Sequence, residues 1–99
     1  MNVFTANLRG SNHRPLDAQG LVLALEENAP LIIEREPENP YDVHAIKVLH
    51  PTDRVHIGYV AREVAKEIAP LMDVGHAVTC KCLVPGGKAT VLEITVSGK

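Results

Sequence analysis

The residues best suited to chemistry lie close together, because Asn39, Tyr41 and Asp42 fall within one short segment. An amide, an aromatic ring and a carboxylate in a stiff loop can bind a small polar group at little ordering cost. Pro37 and Pro40 stiffen this loop, since each proline fixes its own φ and restricts the residue before it to an extended shape. Alternatively, Asn39 and Asp42 hydrogen-bond the backbone of their own loop, as such residues do in turns. The residues alone leave both interpretations open.

The histidines and cysteines do not form a recognisable metal site. His44 and His50 are six residues apart, about 20 Å along an extended strand. Cys80 and Cys82 are two apart in a strand-like stretch, so alternation places both thiols on one face. Two thiolates supply half of a zinc site. Although His76 could add a ligand, we expect free thiols packed in or beside the core.

The motifs of common enzyme classes are missing from the chain. It contains no Gly-x-Ser-x-Gly elbow, no glycine-rich phosphate loop ending in Lys-Ser or Lys-Thr, and no His-Glu-x-x-His. The serines, Ser11 and Ser97, stand outside any tight motif. We therefore predict a protein that is not an enzyme, with no catalytic residue, no metal and no cofactor.

The charges of the chain restrict how it binds nucleic acid. Over 99 residues, ten Lys and Arg are set against twelve Asp and Glu, a formal net charge of −2. Proteins that hold duplex DNA through many phosphates are usually basic. Any binding must therefore be local, and residues 43–66 offer a place for it because they hold four cations against two acids.

The composition indicates a folded domain, and the lack of a membrane span or a signal peptide pattern favours the cytoplasm. The chain is 45% hydrophobic and 22% charged, which argues against disorder. Its longest apolar run, residues 21–25, is far shorter than the ~18 residues of a membrane span. The N-terminus lacks a basic region followed by an apolar stretch and a small-residue cleavage site. We expect a soluble cytoplasmic protein without a membrane partner.

Apolar patterning predicts six strands and two helices. Two prolines three apart make residues 34–42 an irregular loop, and Gly58 within its strand indicates a bulge or a close backbone approach. The first helix is weak; Asp17 is its expected N-cap, and residues 21–25 could instead be extended. The predicted strands are 3–8, one starting at 31–33, 45–49, 55–60, 77–84 and 90–96, and the helices are 17–28 and a second from 61.

The second helix has one clear apolar face, at three- or four-residue spacing. Pro70 is expected to kink or shorten its last turn, and Gly75 to end it. The predicted face consists of Val60, Val64, Ile68, Leu71 and Met72.

Short connections between six strands favour a small antiparallel barrel, closed or half-closed, over a parallel sheet. The chain shows no internal repeat, linker or low-complexity stretch. We therefore predict a mainly β fold with two helices, organised as one domain over residues 1–99.

A long motif in the middle of the chain resembles the HIRAN domain. Arg-Glu-Pro-x-Asn-Pro-Tyr-Asp-x-x-Ala-Ile-Lys-Val begins at Arg35, and Ile-Gly-Tyr-Val-Ala-Arg-Glu follows at residues 57–63. This family occurs in fork-remodelling and postreplication-repair helicase-like ATPases and as small free-standing bacterial or phage-borne proteins. The resemblance, which covers about residues 3–96, implies an OB-like barrel. It also implies capture of single-stranded DNA at a 3′-hydroxyl end, in repair or replication.

The resemblance also implies roles for particular residues. Asn39 and Asp42 are similar to the residues that read the terminal hydroxyl and the nearby sugar-phosphate, and Tyr41 to a ring that stacks on the terminal base. Three more residues correspond to positions beside the strand: Tyr59 to an aromatic or imidazole contact, Arg62 to a phosphate contact, and Arg14 to a first-loop cation.

Departures from the family pattern support a second hypothesis. Where DNA-binding members have two aromatics after the first-loop arginine, this chain has Pro15 and Leu16, and its last hairpin has no aromatic. Each stacked base contributes ~1–3 kcal/mol, so we expect weak DNA binding. The second hypothesis is a protein-interaction adaptor on the same barrel that docks a nuclease, helicase or phage protein. A small hydrolase built on Asp42 and a histidine is the third and weakest.

Overall fold

The structure, a computed structural model, describes residues 1–98, which form six strands, two α-helices and two 3-10 turns. The 3-10 turns are Ser11–His13 and Gly87–Ala89. In chain order the elements are β1 Asn2–Arg9, α1 Leu16–Leu23, β2 Pro30–Arg35, β3 Ile46–Leu49, β4 His56–Val60, α2 Arg62–Asp73, β5 Val78–Val84 and β6 Val91–Val96.

The strands close into an antiparallel barrel in the order β1-β4-β3-β2-β5-β6. Two three-stranded sheets, β1–β6–β5 and β2–β3–β4, supply most of the pairing. Two short seams join them: β1 meets β4 at Leu8 and Arg9, and β2 meets β5 at Pro30 and Leu31. The predicted mainly β barrel is confirmed, and it is closed.

Inward-pointing aliphatic side chains from every strand fill the barrel, so the alternation in the sequence corresponds to the two faces of the sheets. Both cysteines of β5 belong to this core as free thiols, as predicted. Burial raises the pKa of Cys80 to about 12, so the thiol stays protonated. The largest fully buried side chains are Leu8, Ile46, Ile57, Ile68, Leu92 and Ile94.

Gly58 combines the two features that the sequence predicted as alternatives. Val48 lies opposite Gly58 while Leu49 lies opposite His56, so Ile57 is an extra residue in β4 and forms a bulge. A Cβ on Gly58 would lie 2.6 Å from the carbonyl oxygen of Arg9. The glycine therefore allows β1 to approach β4 where the first seam closes.

The second helix buries the predicted face, and two alanines that the prediction left out are buried with it. Ala65, Ile68 and Ala69 are fully buried, while Val64 and Leu71 are partly buried against the core. Alanines let the helix approach the barrel closely. None of the helices in residues 1–98 is long and apolar enough to cross a membrane.

The end of α2 differs in part from expectation. Pro70 does not shorten the helix, which continues to Asp73. Gly75 ends it as predicted, with a φ of 96°. The Gly75 N–H donates to the Met72 carbonyl at 3.1 Å and the His76 N–H to the Leu71 carbonyl at 3.0 Å. These two bonds form a Schellman motif, which satisfies the last carbonyls of the helix.

The predicted first helix was too long and its cap was misplaced. α1 covers Leu16–Leu23, not 17–28, and Pro15 occupies the N-cap position. Asp17 lies inside the first turn, where its Oδ1 accepts the Ala18 N–H. Beyond the helix, the chain turns toward β2 at Asn28, which adopts a positive φ of 71° and donates its N–H to the Cys82 carbonyl.

The irregular loop also starts later than predicted. Glu34 and Arg35 still pair with β3, opposite Lys47 and Ile46. The non-repetitive part therefore covers residues 36–45, called the site loop below. Regular pairing stops just before Pro37, because a proline has no N–H to donate to the ladder.

We expect Gly58→Ala to lower the free energy of unfolding by ~1–3 kcal/mol, because its methyl group would collide with the Arg9 carbonyl and with Leu8. Gly20→Ala is the matched control: a Cβ there meets nothing within 4 Å, and alanine favours an exposed helix by ~0.5–1 kcal/mol. Urea unfolding of both variants measures the difference. Equal stabilities would contradict the close approach of β1 and β4.

Candidate nucleic-acid interface

Asn39 organises the site loop from within. The backbone N–H groups of Tyr41 and Asp42 donate to its Oδ1 at 2.8 and 3.1 Å. Its Nδ2 donates to Glu36 Oε1 at 2.6 Å. The amide therefore supports the backbone of its own loop, which is one of the two interpretations that the sequence left open. By doing so it fixes the positions of Tyr41 and Asp42.

Asp42 has one carboxylate oxygen in a short hydrogen bond and one in a long contact, on a side chain that is 20% exposed. Its Oδ1 accepts the His44 N–H at 2.9 Å. Its Oδ2 lies 3.5 Å from Arg62 Nε, at the limit of a hydrogen bond, so lone pairs remain available. Arg62 is the first residue of α2, and its Nη2 donates to the Tyr41 carbonyl at 2.6 Å. The start of α2 thus holds the site loop at the carboxylate.

Tyr41 presents its ring to solvent on a fixed backbone. The residue is 86% exposed. Its N–H is held by Asn39 and its carbonyl by Arg62. An exposed ring on an ordered backbone is a stacking platform for a base.

Tyr59 connects the site loop to the barrel. Its hydroxyl donates to Glu36 Oε1 at 2.8 Å, the same oxygen that accepts the Asn39 amide. These hydrogen bonds, Asn39 first and Tyr59 second, hold the pKa of Glu36 below its usual range. Burial, together with the bond to the Glu36 carboxylate, raises the pKa of the Tyr59 phenol. The phenol is therefore neutral and donates to a charged carboxylate.

Arg14 reaches the same surface from the first loop. Its Nε donates to the His56 carbonyl at 3.0 Å. The His56 ring stands edge-on to Tyr59, with centroids 4.8 Å apart and planes at 82°. Burial lowers the pKa of His56, and the neighbouring Arg14 cation lowers it further. The imidazole is therefore mainly neutral at pH 7 and packs as an aromatic ring.

Arg35 fixes the far end of the site loop. Its Nη1 and Nη2 donate to the carbonyls of Ala45 and Val43 at 2.6 and 2.8 Å. Its Nε meets Asp73 Oδ1, at the end of α2, at 2.9 Å. The planar guanidinium can hold these three acceptors together because its donors form a rigid fork.

The structure joins the six predicted residues through contacts on one surface. Asn39 and Arg62 each bond Tyr41 or Asp42, while Arg14 and Tyr59 are joined to them through residues that the sequence did not predict. Those residues are Glu36, which connects Asn39 to Tyr59, and His56, which connects Arg14 to Tyr59. A signal for Glu36 was its place in the motif; His56 had none.

Within residues 1–98, no group of three or more His, Cys, Asp or Glu side chains is placed to hold a metal ion. The groups on this surface that could meet a ligand are the guanidinium groups of Arg14 and Arg62, the Asp42 carboxylate and the exposed ring of Tyr41. Such groups bind hydroxyls, phosphates and bases. The fold itself is a small, closed, OB-like antiparallel barrel.

The chain belongs to the HIRAN domain family, whose model matches residues 1–99. It is 39% identical over 66 residues to the Fanconi-associated nuclease 1 homolog of Oryza sativa subsp. japonica, and 39% identical over 49 residues to the helicase-like transcription factor of Mus musculus. The matches cover 65% and 50% of this chain but only 7% and 5% of the two relatives.

Solved HIRAN structures share the fold. The crystal structure of the HIRAN domain of human HLTF matches 96% of this chain and 74% of its own, with a TM-score of 0.76 and 21% identity. The NMR structure of the HLTF HIRAN domain in its DNA-bound conformation matches all of this chain and 77% of its own, with a TM-score of 0.68 and 25% identity. The resemblance to HIRAN domains inferred from the central motif is thereby confirmed.

We expect Asn39→Ala to lower the free energy of unfolding by ~1–3 kcal/mol, because three hydrogen bonds of the site loop are lost. The backbone order parameter of Tyr41 should fall toward the flexible range, below ~0.6. Glu38→Ala, an exposed change in the same loop, is the control and should alter neither quantity. An unchanged Tyr41 order parameter in Asn39→Ala would contradict the role of the amide.

The lowered pKa of Glu36 predicts acid sensitivity. A carboxyl whose pKa is depressed by folding stabilises the fold above its unfolded pKa, and this contribution is lost as the pH falls through the folded pKa. Stability should therefore decline below the ordinary value of 4.5. Glu36→Gln keeps the acceptor oxygen but cannot titrate, so its decline should be shallower. Denaturant unfolding at several pH values measures this, with Glu38→Gln as control; identical slopes for all three proteins would exclude it.

Proposed function

We propose that this chain is a non-enzymatic DNA-binding module that recognises single-stranded DNA at a free 3′-hydroxyl end, in repair or replication. The observation that carries the proposal is the pair formed by the weakly bonded Oδ2 of Asp42 and the exposed ring of Tyr41, on a backbone that Asn39 holds. The DNA-bound conformation solved for the HLTF HIRAN domain, at 25% identity, supports it.

Asp42 is suited to accept a hydroxyl proton. A bond from a hydroxyl to a carboxylate is charge-assisted and roughly twice as strong as a neutral one. Oδ1 is already satisfied by the loop, so the terminal hydroxyl would donate to Oδ2. A terminal phosphate placed there would instead set a dianion against the carboxylate.

Arg62 is suited to bind the phosphate that precedes the terminal sugar. Its side chain is 70% exposed, and its contact with Asp42 is long. It can therefore keep its bond to the Tyr41 carbonyl while its other donors meet a phosphate oxygen. Arg14 adds a second cation on the Tyr59 side. Two or three phosphate contacts give a shallow dependence on salt, at roughly −0.7 per contact for single strands.

Tyr41 supplies most of the base contact. Stacking of one base contributes ~1–3 kcal/mol and tolerates any sequence. The neighbouring Tyr59 is committed to Glu36 and His56, so its exposed part adds an edge and not a second open platform. We therefore propose weak, end-directed binding without base specificity.

We expect a 3′-hydroxyl oligonucleotide to bind more tightly than the same strand with a 3′-phosphate, measured by fluorescence anisotropy at low salt with a 5′ label. Tyr41→Ala should cost ~1–3 kcal/mol of binding free energy, whereas Tyr41→Phe keeps the ring and should retain affinity. Arg62→Ala should flatten the salt dependence by about one contact. Equal affinity for both ends would reject end recognition and leave general strand binding.

A second candidate function is the protein-interaction adaptor. It is favoured by the exposed Leu16 and Leu23 of α1, which stand on the surface at 82% and 75% exposure. The curated relatives are, by name, a nuclease homolog and a helicase-like protein. Absence of binding by either oligonucleotide at millimolar concentration would favour this second function.

A further inference from the structure

A row of side chains crosses four strands beside the site loop. Glu34 on β2 lies opposite Lys47 on β3, and Lys47 lies opposite Tyr59 on β4. Tyr59 in turn lies opposite Arg9 on β1. Directly opposed residues point to the same face of a sheet, here the outer face of the barrel. Since strands lie about 4.8 Å apart, the row is about 14 Å long, and Tyr59 connects it to the candidate interface.

Arg54 reaches the same row from the turn between β3 and β4. The Val55 N–H donates to the Thr52 carbonyl, and both central residues, Asp53 and Arg54, have positive φ angles of 55° and 54°. These features define a type I′ turn, whose central positions favour glycine, asparagine or aspartate. An arginine there costs conformational energy. Its guanidinium, however, lies against Glu34, with Nη2 2.6 Å from Oε2.

Glu34 thus stands between two cations. Lys47 Nζ is 3.1 Å from its Oε1, and Arg54 holds its other oxygen. The hydrogen bond from Lys47, followed by that from Arg54, lowers the pKa of Glu34, so the carboxylate is charged at neutral pH. Exposed ion pairs add little to stability. The main physical effect of Glu34 is therefore electrostatic. It lowers the net charge of the group formed with Lys47 and Arg54 from +2 to +1, and with it the local positive potential.

We propose that Lys47 and Arg54 bind backbone phosphates of single-stranded DNA upstream of the captured 3′ end, and that Glu34 limits this affinity by cancelling one of their two positive charges. The cations remain reachable, with 25% and 56% of their side chains exposed. Arg9 and Arg14, which form no ion pair within residues 1–98, extend the positive surface. This inference rests on the proposed function and extends its binding surface beyond the terminal nucleotide.

The test compares a 4-nucleotide and a 12-nucleotide oligothymidine, both with a 3′-hydroxyl and a 5′ label, by fluorescence anisotropy on the full chain. Glu34→Gln should tighten binding of the 12-mer by about threefold at low salt, the scale of one exposed charge contact. It should also steepen the salt dependence by roughly 0.7 for each added phosphate contact. Binding of the 4-mer, which ends at the terminal site, should change less.

Arg54→Gly supplies a variant that removes the cation without harming the fold. Glycine suits the left-handed turn position, so stability should stay equal or rise, as measured by thermal unfolding. Affinity for the 12-mer should fall about threefold while that for the 4-mer stays unchanged. Weaker 12-mer binding without loss of stability would separate a binding role from a structural one.

Glu93→Gln is the matched control, because it makes the same change in net charge on the opposite sheet, where Glu93 pairs with Lys81 at 3.5 Å. Equal tightening by Glu93→Gln and Glu34→Gln, or none by Glu34→Gln, overturns the inference. If the 4-mer binds better with a 3′-hydroxyl than with a 3′-phosphate but Glu34→Gln has no effect, this inference is overturned while end recognition stands. A Glu34→Gln effect on the 12-mer without end preference supports phosphate binding by Lys47 and Arg54 but rejects both end recognition and the position of these contacts upstream of a captured end. Binding of neither strand rejects both.

Discussion

Glu36 Oε1 accepts hydrogen bonds from two side chains that come from different parts of the molecule, the Asn39 amide of the site loop and the Tyr59 hydroxyl of β4. The loop lacks regular secondary structure, so its position relative to the barrel depends on such side-chain contacts. Asn39 can order the backbone at Tyr41 and Asp42 only while its own amide is oriented, and Glu36 provides that orientation. The candidate interface is therefore built outward from one carboxylate oxygen.

The local distribution of charge on this protein differs from its net charge. The chain is slightly acidic overall, yet cations line both sides of Tyr59 and reach to Arg54. Three of the nearby acids have partners: Glu36 bonds the loop and Tyr59, Asp42 bonds the His44 N–H and lies 3.5 Å from Arg62, and Glu34 pairs with Lys47 and Arg54. Since screening limits interactions between exposed charges to about 8 Å at physiological salt, such local arrangement governs binding more than net charge does.

Local patterns predicted much of the fold, and long-range contacts account for what they missed. Alternation predicted the strands, and the isolated Gly58 in a strand correctly predicted the bulge and the close backbone approach there. The first helix was misplaced because Asp17 and Pro15 are both plausible at a helix start, and because residues 24–29 contain no glycine or proline to mark its end. The six site residues came from a family motif. The two uses of Asn39 could not be separated from sequence, because the orientation of its amide depends on Glu36, which in turn bonds Tyr59 23 residues away.

The two short seams of the barrel have a consequence for its motions. The two three-stranded sheets are joined to one another by ladders of two residue pairs each, at Leu8 and Arg9 on one side and at Pro30 and Leu31 on the other. A few backbone hydrogen bonds lie beside these ladders, such as those from Ala61 to Asn7 and from Cys82 to Ala29. Local opening follows the regions with fewest protecting hydrogen bonds. We therefore expect the barrel to open locally between the two three-stranded sheets, with each sheet moving as a unit. Tyr59 lies in the β1–β4 ladder. A DNA strand bound across it would hold the two sheets together and slow amide hydrogen exchange in both.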